Sequence, residues 1–217
     1  MSVNIERSRI LALPVTPMVI EPITLEGQYV RLEPLSMDHL AGLCDVLLDD
    51  ELWRWIPFPV HTPDEMRAYI QQFLKFRDEG SALPFATIYK PTNQLAGSTR
   101  YLSIDKIHHS VEIGSTIIGK QWQRTVINTE AKYLMLRHTF ETLGCIRVQF
   151  QTDALNTQSQ NAILRLGATQ DGIFRNHKIC ADGRVRNTIY FSITDEEWPA
   201  VKAKLEAKLA RPFTQVS

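Results

Sequence analysis

The spacing of apolar and polar positions changes repeatedly along the chain, and each change predicts an element. Residues 29–35 alternate apolar and polar, which predicts a strand. Ser36 follows as a helix N-cap with Asp38 in the first turn, and Leu40, Leu43 and Leu47 fall on one face of a helix over 37–48. The run 52–59 is aromatic and broken by Pro57 and Pro59, so it predicts a loop. Thr62-Pro63-Asp64-Glu65 is a capping box with proline at the first helical position; that helix runs to Glu79 and stops at Gly80. Strands over 83–90 and 95–103 are joined by a turn at 91–94, and 111–118 is the next strand. A helix from Asn128 or Thr129 to Leu143 places Tyr133, Leu136, Phe140 and Leu143 toward the sheet. A strand over 146–152, a short helix over 159–166 closed by Gly167, and a hairpin of 172–179 with 186–193 complete the sheet. Thr194 to Glu197 is a second capping box, opening a last helix with an apolar stripe at Trp198, Val201, Leu205 and Leu209. The order predicts an α+β fold: a mixed sheet of about seven strands with helices on both faces.

At 217 residues and 44% apolar, the chain suits one domain with a substantial core. Three parts are expected: an extension over 1–27 that packs loosely or wraps the domain, the domain itself over 28–194, and a C-terminal amphipathic helix and tail over 195–217. The formal net charge of zero argues against nucleic acid as a partner. No apolar run is long enough for a membrane span, and Pro14 and Pro17 interrupt the apolar N-terminal stretch that a secretory signal would need. Cys44, Cys145 and Cys180 are scattered and odd in number, as free thiols in a reducing cytoplasm would be. His108-His109 would point to opposite sides of a strand, so no metal is expected. The C-terminal stripe and the long extension hint at a homodimer.

The chemistry concentrates between residues 107 and 167. A strand there feeds a short basic loop, 120–128, that opens a helix. Free backbone N–H groups and the helix dipole make such a junction a seat for phosphate. A second strand and helix follow, with Asn156 and Ser159 at their junction. The two units together form a crevice with a diphosphate seat at one end and hydrogen-bonding groups along it.

Three segments in that region carry a resemblance. Val111-Glu112-Ile113-Gly114 resembles the central-strand EIG stretch of the GCN5-related N-acetyltransferases. Residues 122–131 resemble the WQGTGVNTEA form of their diphosphate loop, and 152–168 resemble their TDxxNxxSxxAIxxLGA segment. The branch most similar is that of the ribosomal-protein alanine N-acetyltransferases, and the resemblance covers about 25–198. The chain departs from the pattern at Arg124, Val126 and Asn128. The superfamily prefers glycines at the fourth and sixth loop positions, here Val126 and Asn128, and Arg124 stands where the branch often has glycine. Asparagine at the sixth position is usual for the branch. A valine held at positive φ would be strained.

The resemblance implies acetyl-CoA as cosubstrate and direct attack by a primary amine, on a protein N-terminus or a small molecule. It places the diphosphate on the backbone of Gln123, Arg124, Thr125, Val126, Ile127, Asn128 and Thr129, with Arg124 able to pair with a phosphate. It also assigns the pantetheine arm to a gap between splayed strands, with Asn156 bonding to it and a free N–H near Ile117 polarising the thioester carbonyl. Glu112 is the candidate base, directly or through water, or else a strand glutamate paired with a cation. Ser159 is the candidate donor to the leaving thiolate, or else an N-cap, and Asn156 alternatively forms an Asx turn or cap. Trp53, Trp55 and Phe58, with His61, form one wall of the acceptor site, or simply pack their loop. The altered loop leaves a second reading open: a domain that binds the carrier as a sensor or scaffold without turnover.

Overall fold

The computed structural model describes residues 18–211. Residues 1–17 of the expected extension and the tail beyond 211 lie outside the described residues. A mixed sheet forms the middle layer. Its strands are β1 (Leu25–Glu26), β2 (Val30–Pro34), β3 (Leu83–Tyr89), β4 (Gln94–Asp105), β5 (Ser110–Ile113), β6 (Ile117–Ile118), β7 (Arg147–Asp153), β8 (Thr169–Ile179) and β9 (Val185–Thr194). They are ordered β1-β2-β3-β4-β5-β7-β9-β8, with β6 beside β4. Among the described residues only β5 and β7 run parallel. The count exceeds the expected seven for two reasons. Leu25–Glu26, assigned to the extension, pairs with β2. The expected strand over 111–118 divides into β5 and β6.

That division is a one-residue bulge. Ile113 lies opposite Tyr101 of β4, but Ile117 lies opposite Ser98, so four steps on one strand match three on the other. Gly97 permits it: a Cβ at this position would stand 2.1 Å from the Ile117 carbonyl oxygen.

Among the described residues six α-helices cover the sheet: α1 (Leu40–Leu47), α2 (Asp50–Trp53), α3 (Pro63–Asp78), α4 (Val126–Arg137), α5 (Thr157–Leu166) and α6 (Trp198–Leu209). On one face α1 and α3 bury Leu43, Leu47, Met66 and Ile70 against Ala86 and Ile117. On the other, α4 and α6 bury Leu134, Met135, Val201 and Leu205 with Phe150 and Ile193. The Thr62 capping box is present, with Thr62 Oγ1 accepting from Glu65 N–H at 3.2 Å. The Thr194 hydroxyl and N–H also meet Glu197, but these bonds close the turn before α6, whose N-cap is Glu197.

Several helical details differ from the sequence reading. Residues 50–53, half of them expected in a loop, form α2, because Asp49 caps the Glu51 N–H at 3.0 Å. The helix expected to reach Leu143 changes to a π-helical turn over His138–Thr142. Tyr133 and Phe140 face α6 instead of the sheet: the Tyr133 hydroxyl donates to Glu206 Oε1 at 2.7 Å, and Phe140 stacks on Trp198 at 5.3 Å. Trp198, Val201 and Leu205 of the α6 stripe are therefore buried within this chain, and the stripe no longer argues for a homodimer. Part of the extension is likewise built in. Met18 is buried, and its N–H donates to the Lys106 carbonyl at 3.0 Å.

Candidate active site

Strands β5 and β7 pair from Ser110–Arg147 to Glu112–Gln149 and then part. Beyond that point residues 150–153 of β7 pair only with β9. The strand edges facing each other across the fork carry backbone groups available to an extended ligand. The fork is the gap that the resemblance assigned to pantetheine.

Glu112 stands at the fork and is 3% exposed. Gln151 Nε2 donates to both of its oxygens at 2.7 Å, Ser103 Oγ donates at 3.2 Å and Gln149 Nε2 at 3.4 Å. The carboxylate is held by neutral donors and forms no ion pair among the described residues. The expectation of a strand glutamate paired with a cation is thus not what the fold built. Lys178 is one step removed, donating to Gln151 Oε1 at 3.1 Å. Gln149 and Gln151 were not singled out from sequence. Their signal was present: Arg147, Gln149 and Gln151 put polar groups at alternate positions of a central strand, on a single face.

At one end of the fork lies the N-terminus of α4. The helix starts at Val126, two residues earlier than expected, because Thr125 is its N-cap. Thr125 Oγ1 accepts from the Ile127 N–H at 3.3 Å and donates to the Trp122 carbonyl at 2.6 Å. The first-turn N–H groups of a helix, here from Val126 to Asn128, lack acceptors within it. Val126 takes ordinary helical geometry, so the strain expected there is absent. The left-handed residue is Arg124, at φ 60°, the position where the branch often has glycine. Its side chain is exposed and in no ion pair among the described residues. Gln123 Nε2 donates to the Ile118 carbonyl at 3.1 Å, and Gln158 of α5 donates to Gln123 Oε1 at 3.2 Å, tying the loop to both sides of the fork. Trp122 packs on Tyr89, as a packing anchor should. Asn128 Oδ1 is buried and has no partner. A buried unpaired acceptor beside a helix N-terminus is a place for a donor group. The junction therefore fits a carrier with a diphosphate and a hydrogen-bonding arm. Thr129 lies one position further along the helix.

On the other side, Asn156 caps α5, and its Oδ1 accepts from the Ser159 N–H at 3.0 Å. Ser159 is the third residue of α5 and not its N-cap. The cap role falls to Asn156, whose amide NH2 remains for a ligand. The Ser159 hydroxyl makes no hydrogen bond among the described residues.

The expected aromatic wall separates into its members. Trp53 is 1% exposed, and its Nε1 donates to the Leu47 carbonyl at 2.7 Å. It is a core anchor, edge-on to Tyr69, and is removed from the substrate wall. Phe58 is 82% exposed. His61 bonds Asp50 Oδ1 at 2.6 Å, away from Glu112's partners. Trp55 alone reaches the site's neighbours: Arg186 Nη1 donates to its carbonyl at 3.4 Å, and the Arg184 guanidinium lies 5.6 Å from its ring.

Several buried charged groups escaped the sequence reading, Lys132 among them. Lys132 of α4 donates to Thr99 Oγ1 at 3.1 Å and to Thr116 Oγ1 in the β5–β6 bulge. Burial first, and Arg100 second, push its amine down to about 7.

The fold and the fork define an acetyltransferase of the GNAT type. Residues 30–169 match the acetyltransferase (GNAT) domain family, and the chain belongs to that family. A GCN5-related N-acetyltransferase from Brucella melitensis is 34% identical, with a TM-score of 0.84 over 90% of both chains. The uncharacterized N-acetyltransferase p20 of Bacillus licheniformis is 24% identical over 176 residues, which span 81% of this chain and 98% of that protein. Mycobacterium smegmatis RimJ, solved in complex with CoA-disulfide, shares the fold at 21% identity and a TM-score of 0.76, over 86% of this chain and 95% of its own.

Proposed function

We propose that this acetyltransferase moves an acetyl group from acetyl-CoA to a primary amine by direct attack within a ternary complex. The observation that carries the reading is the fork: β5 and β7 part next to Glu112, and the α4 N-terminus lies at the end of the gap. The N–H groups of Val126 and Asn128, aided by Arg124, hold the diphosphate. The opened strand edges and Asn156 hold the arm. A backbone N–H near Ile117 faces the thioester carbonyl as negative charge develops on it.

Glu112 takes the proton that the attacking nitrogen must lose, directly or through one water. The C–N bond forms, the C–S bond breaks, and the thiolate leaves toward Ser159. Serine is a weak acid, so Ser159 stabilises the thiolate by a hydrogen bond more than by proton transfer. Trp55 forms the acceptor-side wall. The catalytic unit spans 28–194, braced by the segments on either side of it.

Two measurements test this. Acetyl-CoA should raise the melting temperature, and free CoA thiol should appear when amines are added. No stabilisation by acetyl-CoA would refute the proposal. Stabilisation with no thiol release from any amine would leave a carrier-binding domain without turnover.

A further inference from the structure

The last hairpin brings cations to the acceptor side of Glu112. Strand β8 is irregular between Phe174 and Lys178, and Asn176 sits at φ 52°. Bulges re-aim side chains, and this one sends two successive residues toward the same face. His177 packs against Tyr190 at 5.8 Å, and Tyr190 lies opposite Gln151, the residue that grips Glu112. Lys178, the next residue, reaches Gln151 Oε1 itself. Arg186 lies opposite Lys178 in β9, is buried, and bonds the Trp55 carbonyl.

The charges here do not cancel. Arg54 lies 4.9 Å from the Trp55 ring, and Arg184 flanks the same ring at 5.6 Å. Against Arg54, Lys178, Arg184 and Arg186 stand three carboxylates, Glu112, Asp153 and Asp182, the last beside Arg184. Asp153 is taken by Arg184 at 2.7 Å and more distantly by Arg186 at 3.8 Å. Lys178 has no carboxylate partner among the described residues. Burial and then Arg186 lower its pKa, so it gains from a neighbouring anion. His177, whose buried Nδ1 has no partner, is held toward its neutral form by burial, then by Lys178 and Arg186. A purely cationic acceptor would meet repulsion at this rim.

Resting on the acetyl-transfer reading above, we propose that the acceptor is an amine bearing a carboxylate, which docks against Lys178 and Arg186 while its nitrogen faces Glu112. The carboxylate is supplied by a free amino acid or by an acidic residue near a peptide N-terminus.

Thiol release from acetyl-CoA, measured over matched acceptors, tests this. The set pairs free amino acids with their amides, and peptides carrying glutamate at the second position with their glutamine counterparts. Carboxylate acceptors should exceed their neutral partners at least tenfold in kcat/KM, and the arm showing the larger ratio identifies the source. Lys178→Gln should raise the KM of carboxylate acceptors about tenfold and shrink that ratio, whereas Lys178→Arg should restore it. A loss of fold would instead lower kcat for all acceptors and the melting temperature together, with no rescue by Lys178→Arg. Equal turnover of charged and neutral partners, or a ratio indifferent to Lys178→Gln, overturns this inference and leaves acetyl transfer standing. Thiol release from none of the amines overturns both.

Discussion

Lys132→Met should make the protein more stable, and the gain should shrink as the pH rises. The amine is enclosed between α4, β4 and the β5–β6 bulge, touching Thr99 and Thr116, with no carboxylate in ion-pair contact among the described residues. Its pKa falls from 10.5 to about 7 in the folded chain. Below about pH 7 the lysine is charged in both states, and the full penalty of burying it stands. Between about 7 and 10.5 the unfolded chain binds more protons than the folded one, so stability rises with pH. At 1.36 kcal/mol per pKa unit, the penalty below that window is roughly 5 kcal/mol. Methionine removes the charge and keeps most of the volume. It forfeits two hydrogen bonds of about 1 kcal/mol each, though the Thr99 and Thr116 hydroxyls remain bonded to each other at 2.8 Å. The expected net gain is roughly 3 kcal/mol at pH 6.5, closing to about zero by pH 9.5. Urea unfolding followed by tryptophan fluorescence at both pH values measures it, and titrations elsewhere cancel in the difference between the two proteins. A gap that is the same at both pH values, or a variant less stable at pH 6.5, would refute the reasoning.

Three further outcomes follow from the site. Glu112→Gln should lower kcat by about 10²-fold or more, the usual scale for a lost base, with acetyl-CoA affinity retained in a thermal-shift titration; unchanged turnover would remove Glu112 from the mechanism. Arg124→Gly relieves a left-handed residue, so the unliganded protein should gain about 1 kcal/mol. The same substitution should weaken acetyl-CoA binding, most visibly at low salt, and calorimetry showing no loss at any salt would mean the backbone alone holds the diphosphate. Asn156→Ala removes the α5 cap and should cost about 1 kcal/mol in urea unfolding; it should also raise the KM for acetyl-CoA, and an unchanged KM would confine Asn156 to capping.

Much of the fold was legible because its signals are local. The Thr62 capping box, the Thr194 to Glu197 turn, the Gly80 and Gly167 stops and the two hairpins depend on residues within a few positions of one another. The crevice was legible for the same reason, since a strand, a polar loop and a helix start follow one another in the chain. The errors share the opposite property. Trp53 reads like its neighbours Trp55 and Phe58, and only the packing of α2 on Tyr69 sends it into the core. The start of α4 is the exception, a local choice between Thr125 and a later residue as cap, sealed by the Thr125 bond to the Trp122 carbonyl three positions back.

The sequence by itself determined the family, the order of elements and the segment proposed to seat a diphosphate, because motif spacing and helix termini are properties of contiguous residues. Tertiary structure alone decided which groups grip Glu112, where the left-handed residue falls, and which cations stand beside the acceptor side. Those depend on strand register. One extra residue in β5–β6 and one irregularity in β8 change which side chains share a face, and nothing in the local pattern announces either.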